Sequence, residues 1–545
     1  MKEKLEEILR KELGKEVVLE KAPKEYGDYA SNIAFTISKE KGKSPQEVAE
    51  ELKDKITSSY FSRVEVKNGF LNFFLSEEAL KEEVSLVLKE RGDYGKRKDN
   101  KKAVIDYSSP NIAKSFGIGH LRSTIIGQSL YNIHEFLGWD VAGINHLGDW
   151  GTQYGKLLYM IKEEGKDPEK LSLKDLENIY IRFHERAEEE PELEERGREW
   201  FARLEKGEEE ARRIWEVCRR KSLEEFDRIY ERLGVSIDHT LGESFYEDKL
   251  QDIVREAKEK GVAKESEGAL IVEFEDLPPA MILKSDGSTT YFTRDLAAAK
   301  YRTKEFSPDL MIYEVGADQA LHLKQLFKAA EKLGWAKESI FVHVAHGMFR
   351  LKEGKFSTRK GRTVHLEEVL LKAKKKAKEV LDESPSLEGT SEEEKERIAE
   401  VVGVGAVKYN DLKRHHKRDV IFDWEEMLNL KGDSGPYLQY TCLRCRSVLS
   451  KEEEKERKIE GSFQEEEREL LKRIVEFKEV VEAARKNFSP NIIAEYAHKL
   501  AKDFNSFYDE LKILGDEKRM AMTEATLIIL LSCLHLLTIS VPERM

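Results

Sequence analysis

Residues 108–124 read SSPNIAKSFGIGHLRST. An apolar run, AVIDY at 103–107, precedes them, and an amphipathic helical pattern runs on to about Leu137. Gly117 and Gly119 therefore fall at a strand-to-helix turn, with His120 just inside the helix. Backbone N–H groups at a helix N-terminus point outward and favour an anion. Glycines let a ligand approach the backbone closely, and His120 adds a side-chain donor at the same mouth. The spacing is neither GxxxxGK[ST] nor GxGxxG. The chemistry it suits is the grip on a nucleotide phosphate; the plain alternative is a structural turn.

Four further stretches could do chemistry. EGKFSTRKGRTV (353–364) is a basic, hydroxyl-rich segment that could close over phosphates, or an ordinary solvated loop. In TTYFTRDLAAAK, Tyr291 and Asp295 are four apart and share a face if the helix has begun by Tyr291. A phenol beside a carboxylate suits a cationic ligand group, although a carboxylate near a helix start is also favoured by the dipole. LLKAKKKAKEV (370–380) and YNDLKRHHKRDV (409–420) are basic enough for an RNA backbone, or are solvated faces.

The elements that must position these residues follow from the pattern. Residues 1–98 read as a small α+β unit: a charged helix, an alternating strand VEVKNGFLNFFL (64–75), a second helix, and the breaker-rich 91–102. From 103 the order is strand, turn, helix, strand, with DVAGINHL (140–147) as the second strand. Residues 156–235 are charged helix. Strand-like segments return at ALIVEFED (269–276) and PAMILK (279–284). DLMIYEVG (309–316), a helix at 320–334 and IFVHVAHG (340–347) follow. Strands alternating with helices imply a parallel, doubly wound α/β sheet whose halves are separated by a helical insertion. Residues 365–545 read as helical.

At 545 residues the chain is long enough for three or four domains. The net charge of −13 argues against a dedicated nucleic-acid coat protein but leaves room for local basic grooves. Cys442 and Cys445 form a lone CxxC inside QYTCLRCRSVL, for which helix packing is a better reading than zinc. No dedicated protein metal site is expected. The N-terminus lacks the apolar core of a signal peptide. ATLIILLSCLHLLTISV (525–541) is shorter than a bilayer span and reads as a core helix. A cytoplasmic, monomeric protein with no membrane association is expected.

Taken together, these stretches resemble the class I aminoacyl-tRNA synthetases. NIAKSFGIGHLRSTIIG looks like the region of the HIGH signature, and KFSTRKG looks like the KMSKS loop. SSPNIAK, INHLGDWGTQYGKL, YFTRD, ADQALHLKQ and DWEEMLNLKGDSGPYLQYT narrow the resemblance to the arginyl-tRNA synthetases, over essentially the full length. The ending EYAHKLAKDFNSFYDE…ISVPERM is similar to that family's anticodon-binding domain.

The resemblance implies three domains: a D-loop-binding α+β domain (1–98), a Rossmann-type catalytic domain (99–364) with a helical insertion at about 156–290, and an all-helical anticodon-binding domain (365–545). It implies ATP, as its Mg²⁺ complex, together with L-arginine and tRNA(Arg). Arginine contacts would fall to Ser109, Asn111, His120, Tyr291, Asp295 and Gln319. ATP contacts would fall to Gly117, Gly119, His120, Lys355, Ser357, Thr358 and Lys360, with Lys114, His120, Ser357 and Arg359 supplying catalytic donors. Phe70, Asn72, Tyr437, Gln439, Tyr440, Arg444 and Arg446 would meet tRNA.

Two departures stand out. Gly117 takes the place of the first His of HIGH, with Ser115 at a usual proline, and Thr358 takes the second Lys position of KMSKS. The rival readings are a tRNA-binding protein whose catalysis Gly117 has impaired, and a small nucleotidylyltransferase. The long helical C-terminal half argues against the second.

Overall fold

The computed structural model of the chain describes residues 1–351, 354–355, 364–382, 384–453 and 456–545. Its contacts divide it into two units. One combines Met1–Lys96 with Tyr437–Asn487 and Ile492–Leu534, and the other combines Arg97–Pro436 with Phe488–Asn491 and His535–Met545.

In the first unit the helix Lys2–Leu13 buries Leu5, Leu9 and Leu13, one stripe at i, i+4 spacing. The segment read as one strand at 64–75 is a hairpin. Phe61–Lys67 and Phe70–Leu75 pair antiparallel, and Asn68 and Gly69 between them are both left-handed, at φ 54° and 79°. Asn-Gly is the pair that tolerates two positive φ angles in a two-residue turn. The strands Tyr29–Ser31 and Glu20–Lys21 complete a four-stranded sheet. Cys442 and Cys445 are buried on the helix Gly435–Leu449, and burial pushes the Cys442 thiol up to about 12. The helix Glu517–Leu536 is long and apolar enough to cross a membrane, yet 78% of its apolar window is buried inside the protein.

The second unit is built on a parallel sheet. β1 (Lys102–Asp106), β2 (Asp140–Asn145), β3 (His239–Thr240), β4 (Leu310–Gly316) and β5 (Phe341–His346) lie in the order β5-β4-β1-β2-β3. Strand order reverses between β1 and β4, and such a switch point opens a ligand crevice outside the carboxyl ends of the strands. Helix α1 (Ile118–Phe136) follows β1, and α2 (Tyr291–Phe306) and α3 (Ala320–Lys332) flank β4 in sequence. Val104, Ile144, Met311 and Phe341 of the sheet share one buried cluster with Leu296 of α2 and Leu326 of α3.

The doubly wound sheet expected from the sequence is therefore present, with two differences. The runs at 269–276 and 279–284 do not join it. Ala269–Val272 and Ala280–Leu283 pair antiparallel and, with Ala263–Ser266, make a separate three-stranded sheet. The connection EFEDLPP between the two strands is too short to carry a crossover helix, so neighbours pair antiparallel. The sheet also gains the short edge strand β3, which follows the insertion helices Thr152–Glu163, Leu173–Glu189, Leu193–Glu205 and Glu209–Leu233.

Candidate active site

β1 ends at Asp106, whose buried carboxylate receives Arg302 Nη1 at 2.7 Å and Ser109 Oγ at 2.9 Å. The loop that follows is held in an uncommon shape. Ser108, Ser109 and Ala113 have φ of 72°, 48° and 58°, in the left-handed region that L-residues avoid. Asn111 turns its Oδ1 onto Gly148, where an added Cβ would lie 2.0 Å from that oxygen, so any other residue at 148 would displace the Asn111 amide.

At the start of α1, Gly117 has φ −81° and ψ 157°, an extended conformation open to any residue. Its N–H donates to His120 Nδ1 at 3.2 Å, which leaves the imidazole proton on Nε2. Burial, aided by the charges of Lys114 and His346, pushes His120 down to about 4. It is thus a neutral donor at physiological pH, at the positive end of a helix. A Cβ on Gly119 would meet nothing within 4 Å, so that backbone stands clear of the protein. The Lys114 ammonium lies 5.0 Å from the centre of the Tyr180 ring, and Ser115 Oγ donates to Glu177 at 2.6 Å.

Helix α2 begins at Tyr291, so Tyr291 and Asp295 do share a face. Asp295 is 2.6 Å from His322 Nε2 and 3.3 Å from His146 Nε2. Burial by itself would raise the Asp295 carboxyl, but the two imidazoles hold it well below the usual carboxylate range. His146 Nδ1 lies 3.1 Å from the Leu241 carbonyl and donates to it. Its Nε2 then carries a proton toward Asp295 only as the imidazolium. Burial opposes that charge, and the Asp295 carboxylate outweighs it, so the His146 pKa is raised.

Beside this pair opens a cavity of 1120 Å³ lined by Asn111, Tyr291 and His322, with Glu243 and Arg294 in its wall. Burial pushes the Glu243 carboxyl up to about 7 against the pull of Arg294, whose Nε lies 3.7 Å away.

The fold thus brings Asn111, Tyr291 and Asp295 to one end of the site and Gly117, Gly119 and His120 to the start of α1. Ser109 is tied to Asp106. Gln319 is exposed on the turn after β4 and donates to Asp318 at 2.9 Å. Lys355 lies in the two-residue strand Gly354–Lys355, while Ser357, Thr358, Arg359 and Lys360 lie outside the described residues. In the other unit Phe70 is 40% exposed and packs on Phe35, whereas Asn72 is buried. Tyr440 is exposed and Gln439 buried. The Arg444 guanidinium lies 5.1 Å from the Tyr440 ring and donates to Asn505, which also donates to the Tyr437 hydroxyl at 2.9 Å. Arg446 is half-buried on the same helix.

Sequence reasoning missed His146, His322, Glu243 and Arg294. The first two lie inside INHLGDWGTQYGKL and ADQALHLKQ, but no local spacing links them to Asp295. The sheet topology alone does.

A five-stranded parallel sheet with the HIGH-like turn at its switch point is the architecture of a class I aminoacyl-tRNA synthetase. Residues 83–424 match the model for the class I (R) tRNA synthetase catalytic domain, 1–75 the arginyl-tRNA synthetase N-terminal domain, and 438–545 the DALR anticodon-binding domain. The arginine–tRNA ligase of Halothermothrix orenii is 42% identical over 100% of this chain and 99% of its own. That of Clostridium perfringens is 41% identical over 97% and 96%. Crystallographic arginyl-tRNA synthetase from Plasmodium falciparum superposes with a TM-score of 0.84 at 25% identity, covering 100% of this chain and 99% of that one. The Thermus thermophilus arginyl-tRNA synthetase shares the fold at a TM-score of 0.82 and 24% identity, covering both chains fully. The chain belongs to the arginyl-tRNA synthetase family.

Proposed function

We propose that the chain ligates L-arginine to tRNA(Arg). A carboxylate oxygen of arginine attacks the α-phosphorus of ATP, which is bound as its Mg²⁺ complex. Pyrophosphate leaves and arginyl-adenylate forms. A hydroxyl of the terminal adenosine of tRNA then attacks the arginyl carbonyl and displaces AMP. The observation that carries this reading is the full-length relationship to arginine–tRNA ligases.

Asp295 and Glu243 receive the guanidinium, which a carboxylate can grip through paired hydrogen bonds that an ammonium cannot match. Asn111 and Tyr291 shape the pocket around it, and Ser109, His120 and Gln319 bound its other end. The His120 Nε2–H, the backbone at Gly117 and Gly119, Lys114 and the 355–360 segment stabilise phosphate charge as it develops. Phe70 stacks on an unpaired tRNA base, and Tyr437, Tyr440, Arg444 and Arg446 meet the tRNA on the helix Gly435–Leu449. The four free, buried thiols support a reducing compartment such as the cytoplasm.

Incorporation of labelled arginine into tRNA(Arg), with ATP and Mg²⁺, tests the reading. Charging above the rate without enzyme is expected. Its absence with folded protein and an active tRNA transcript would reject it.

A further inference from the structure

The helix Glu209–Leu233 reads in the sequence as a charged insertion, yet one of its faces is bonded to the loops that carry the site. Trp215, Arg219, Ser222, Phe226 and Tyr230 succeed one another at steps of four, three, four and four, a single helical stripe. Trp215 Nε1 donates to the Asp149 carbonyl at 2.8 Å, and Arg219 Nε donates to the Asp149 carboxylate at 3.1 Å, in the loop after β2. Ser222 Oγ accepts the Ala113 N–H at 2.8 Å. Phe226 and Tyr230 hold the Phe116 ring edge-on, with centroids at 5.6 and 5.8 Å, directly before Gly117. The Tyr230 hydroxyl lies 2.8 Å from Ser108 Oγ and accepts Asn145 Nδ2 at 3.0 Å, while Asn145 Oδ1 accepts the Ser109 N–H at 3.1 Å.

The residues so gripped are the strained ones. Ser108, Ser109 and Ala113 are non-glycine residues at positive φ within six positions. Such conformations persist only where the surroundings over-determine them. Part of that hold comes from the sheet and α1, through Asp106, Ser123 and Thr124. The insertion helix adds Ser222, Tyr230 and, through Asn145, Tyr230 again, and at Ala113 the side-chain partner is Ser222.

We propose that this stripe is a brace that positions the active-site loop 108–114, with Ser222 and Tyr230 as positioning residues for arginine activation. The inference rests on the function proposed above. The brace acts through backbone shape, so its loss is repairable at the backbone. Glycine adopts positive φ without the penalty an L side chain carries.

The test compares Ser222→Ala, Ala113→Gly and the double variant in arginine-dependent ATP–pyrophosphate exchange with tRNA present. Hydrogen–deuterium exchange over residues 108–114 is measured alongside. Ser222→Ala is expected to lower kcat/KM for arginine by about tenfold or more, since it leaves a buried N–H unsatisfied and frees the loop. Adding Ala113→Gly should restore about fivefold of that loss. Exchange should quicken at Ser109 as well as at Ala113, with β1 unchanged. Unaltered kinetics in Ser222→Ala, or a loss that Ala113→Gly does not lessen, overturns the proposal. If Ser222→Ala does not fold, Tyr230→Phe decides by the same two measurements: parental rate and parental exchange at Ser109 overturn it. Should the parent itself show no arginine-dependent exchange, the function fails separately, and the deuterium comparison still decides the brace.

Discussion

At the end of the site proposed for arginine, Asp295 stands between two imidazoles, His322 at 2.6 Å and His146 at 3.3 Å, and is held ionised. At the end proposed for the phosphates, His120 is pushed down to about 4 and meets a backbone N–H through Nδ1. The two ends solve different problems. A guanidinium brings a fixed positive charge, so its receptor must hold a carboxylate ionised in a half-buried place, and partner histidines do that. A nucleotide phosphate brings negative charge that grows during reaction, and neutral donors with a helix dipole can meet it without a strong ground-state pairing. If this contrast is right, damage at each end should have a different kinetic signature.

The largest effect is expected from Asp295→Ala. Removing the carboxylate strands the guanidinium beside His146 and His322, and breaking such a half-buried pair costs about 3 kcal/mol, the low end for buried pairs. The arginine KM should rise by about 10²-fold or more, with the ATP KM within about twofold. Steady-state exchange kinetics in both substrates check it; equal changes in the two KM values would dissolve the contrast between the ends.

Gly117→His should act in the other direction and at the other end. The φ and ψ at Gly117 carry no penalty for an L side chain, so the backbone conformation does not oppose the substitution. Adenylate formation should accelerate by up to about 10²-fold, with arginine affinity nearly unchanged. Single-turnover adenylation at saturating ATP with tRNA is the measurement, and a slower, folded variant would show that glycine serves the turn itself.

Phe70→Ala should weaken tRNA charging by about tenfold, the scale of one lost base stack. Asn72 is buried and its Nδ2 lies 3.5 Å from the Glu65 carbonyl, so Asn72→Ala should act through stability of the sheet. Charging rates across a range of tRNA concentrations, read beside thermal melts, separate the two.

The smallest effect concerns acid. His120 titrates near 4 when folded and near its ordinary 6.5 when unfolded. Between those values the unfolded chain binds the extra proton, so stability falls as pH drops from 6.5 toward 4. His120→Asn should remove about 2 kcal/mol of that decline between pH 7 and 4.5. His416, also pushed down to about 4 by burial, remains in both proteins and sets a shared slope. Denaturant titrations at the two pH values suffice; parallel curves would mean that His120 is accessible enough to protonate in the fold.

Much of this site was legible in the sequence because its signals are local. The glycines and His120 stand at a strand-to-helix turn, and the i, i+4 pairing of Tyr291 with Asp295 needs only that α2 begin at Tyr291. What was not legible depends on topology. His146 comes from the end of β2, His322 from α3 and Glu243 from the segment after β3, and the parallel sheet gathers them around α2. The brace was hidden for another reason. The helix has an ordinary apolar face, with Ile214, Trp215, Cys218, Phe226, Ile229 and Leu233 buried, so the sequence reads as plain core packing and nothing local shows that Arg219, Ser222 and Tyr230 on that side bond to the site loops. The hairpin at Asn68-Gly69 carried an explicit turn pair, yet the alternating pattern on both sides joined two strands into one reading.

The central claim is that the ionised Asp295 carboxylate, beside this cavity and against its His322 wall, selects a guanidinium. Citrulline tests it most directly, because its urea group has nearly the shape of a guanidinium without the charge. With tRNA(Arg), ATP and Mg²⁺ present, arginine should support pyrophosphate exchange, and citrulline at the same concentrations should support less than about 10⁻³ of that rate, since its neutral urea forfeits the charge-assisted pairing with the carboxylate and turns an acceptor toward it in place of an N–H. Comparable exchange with both amino acids would contradict the account.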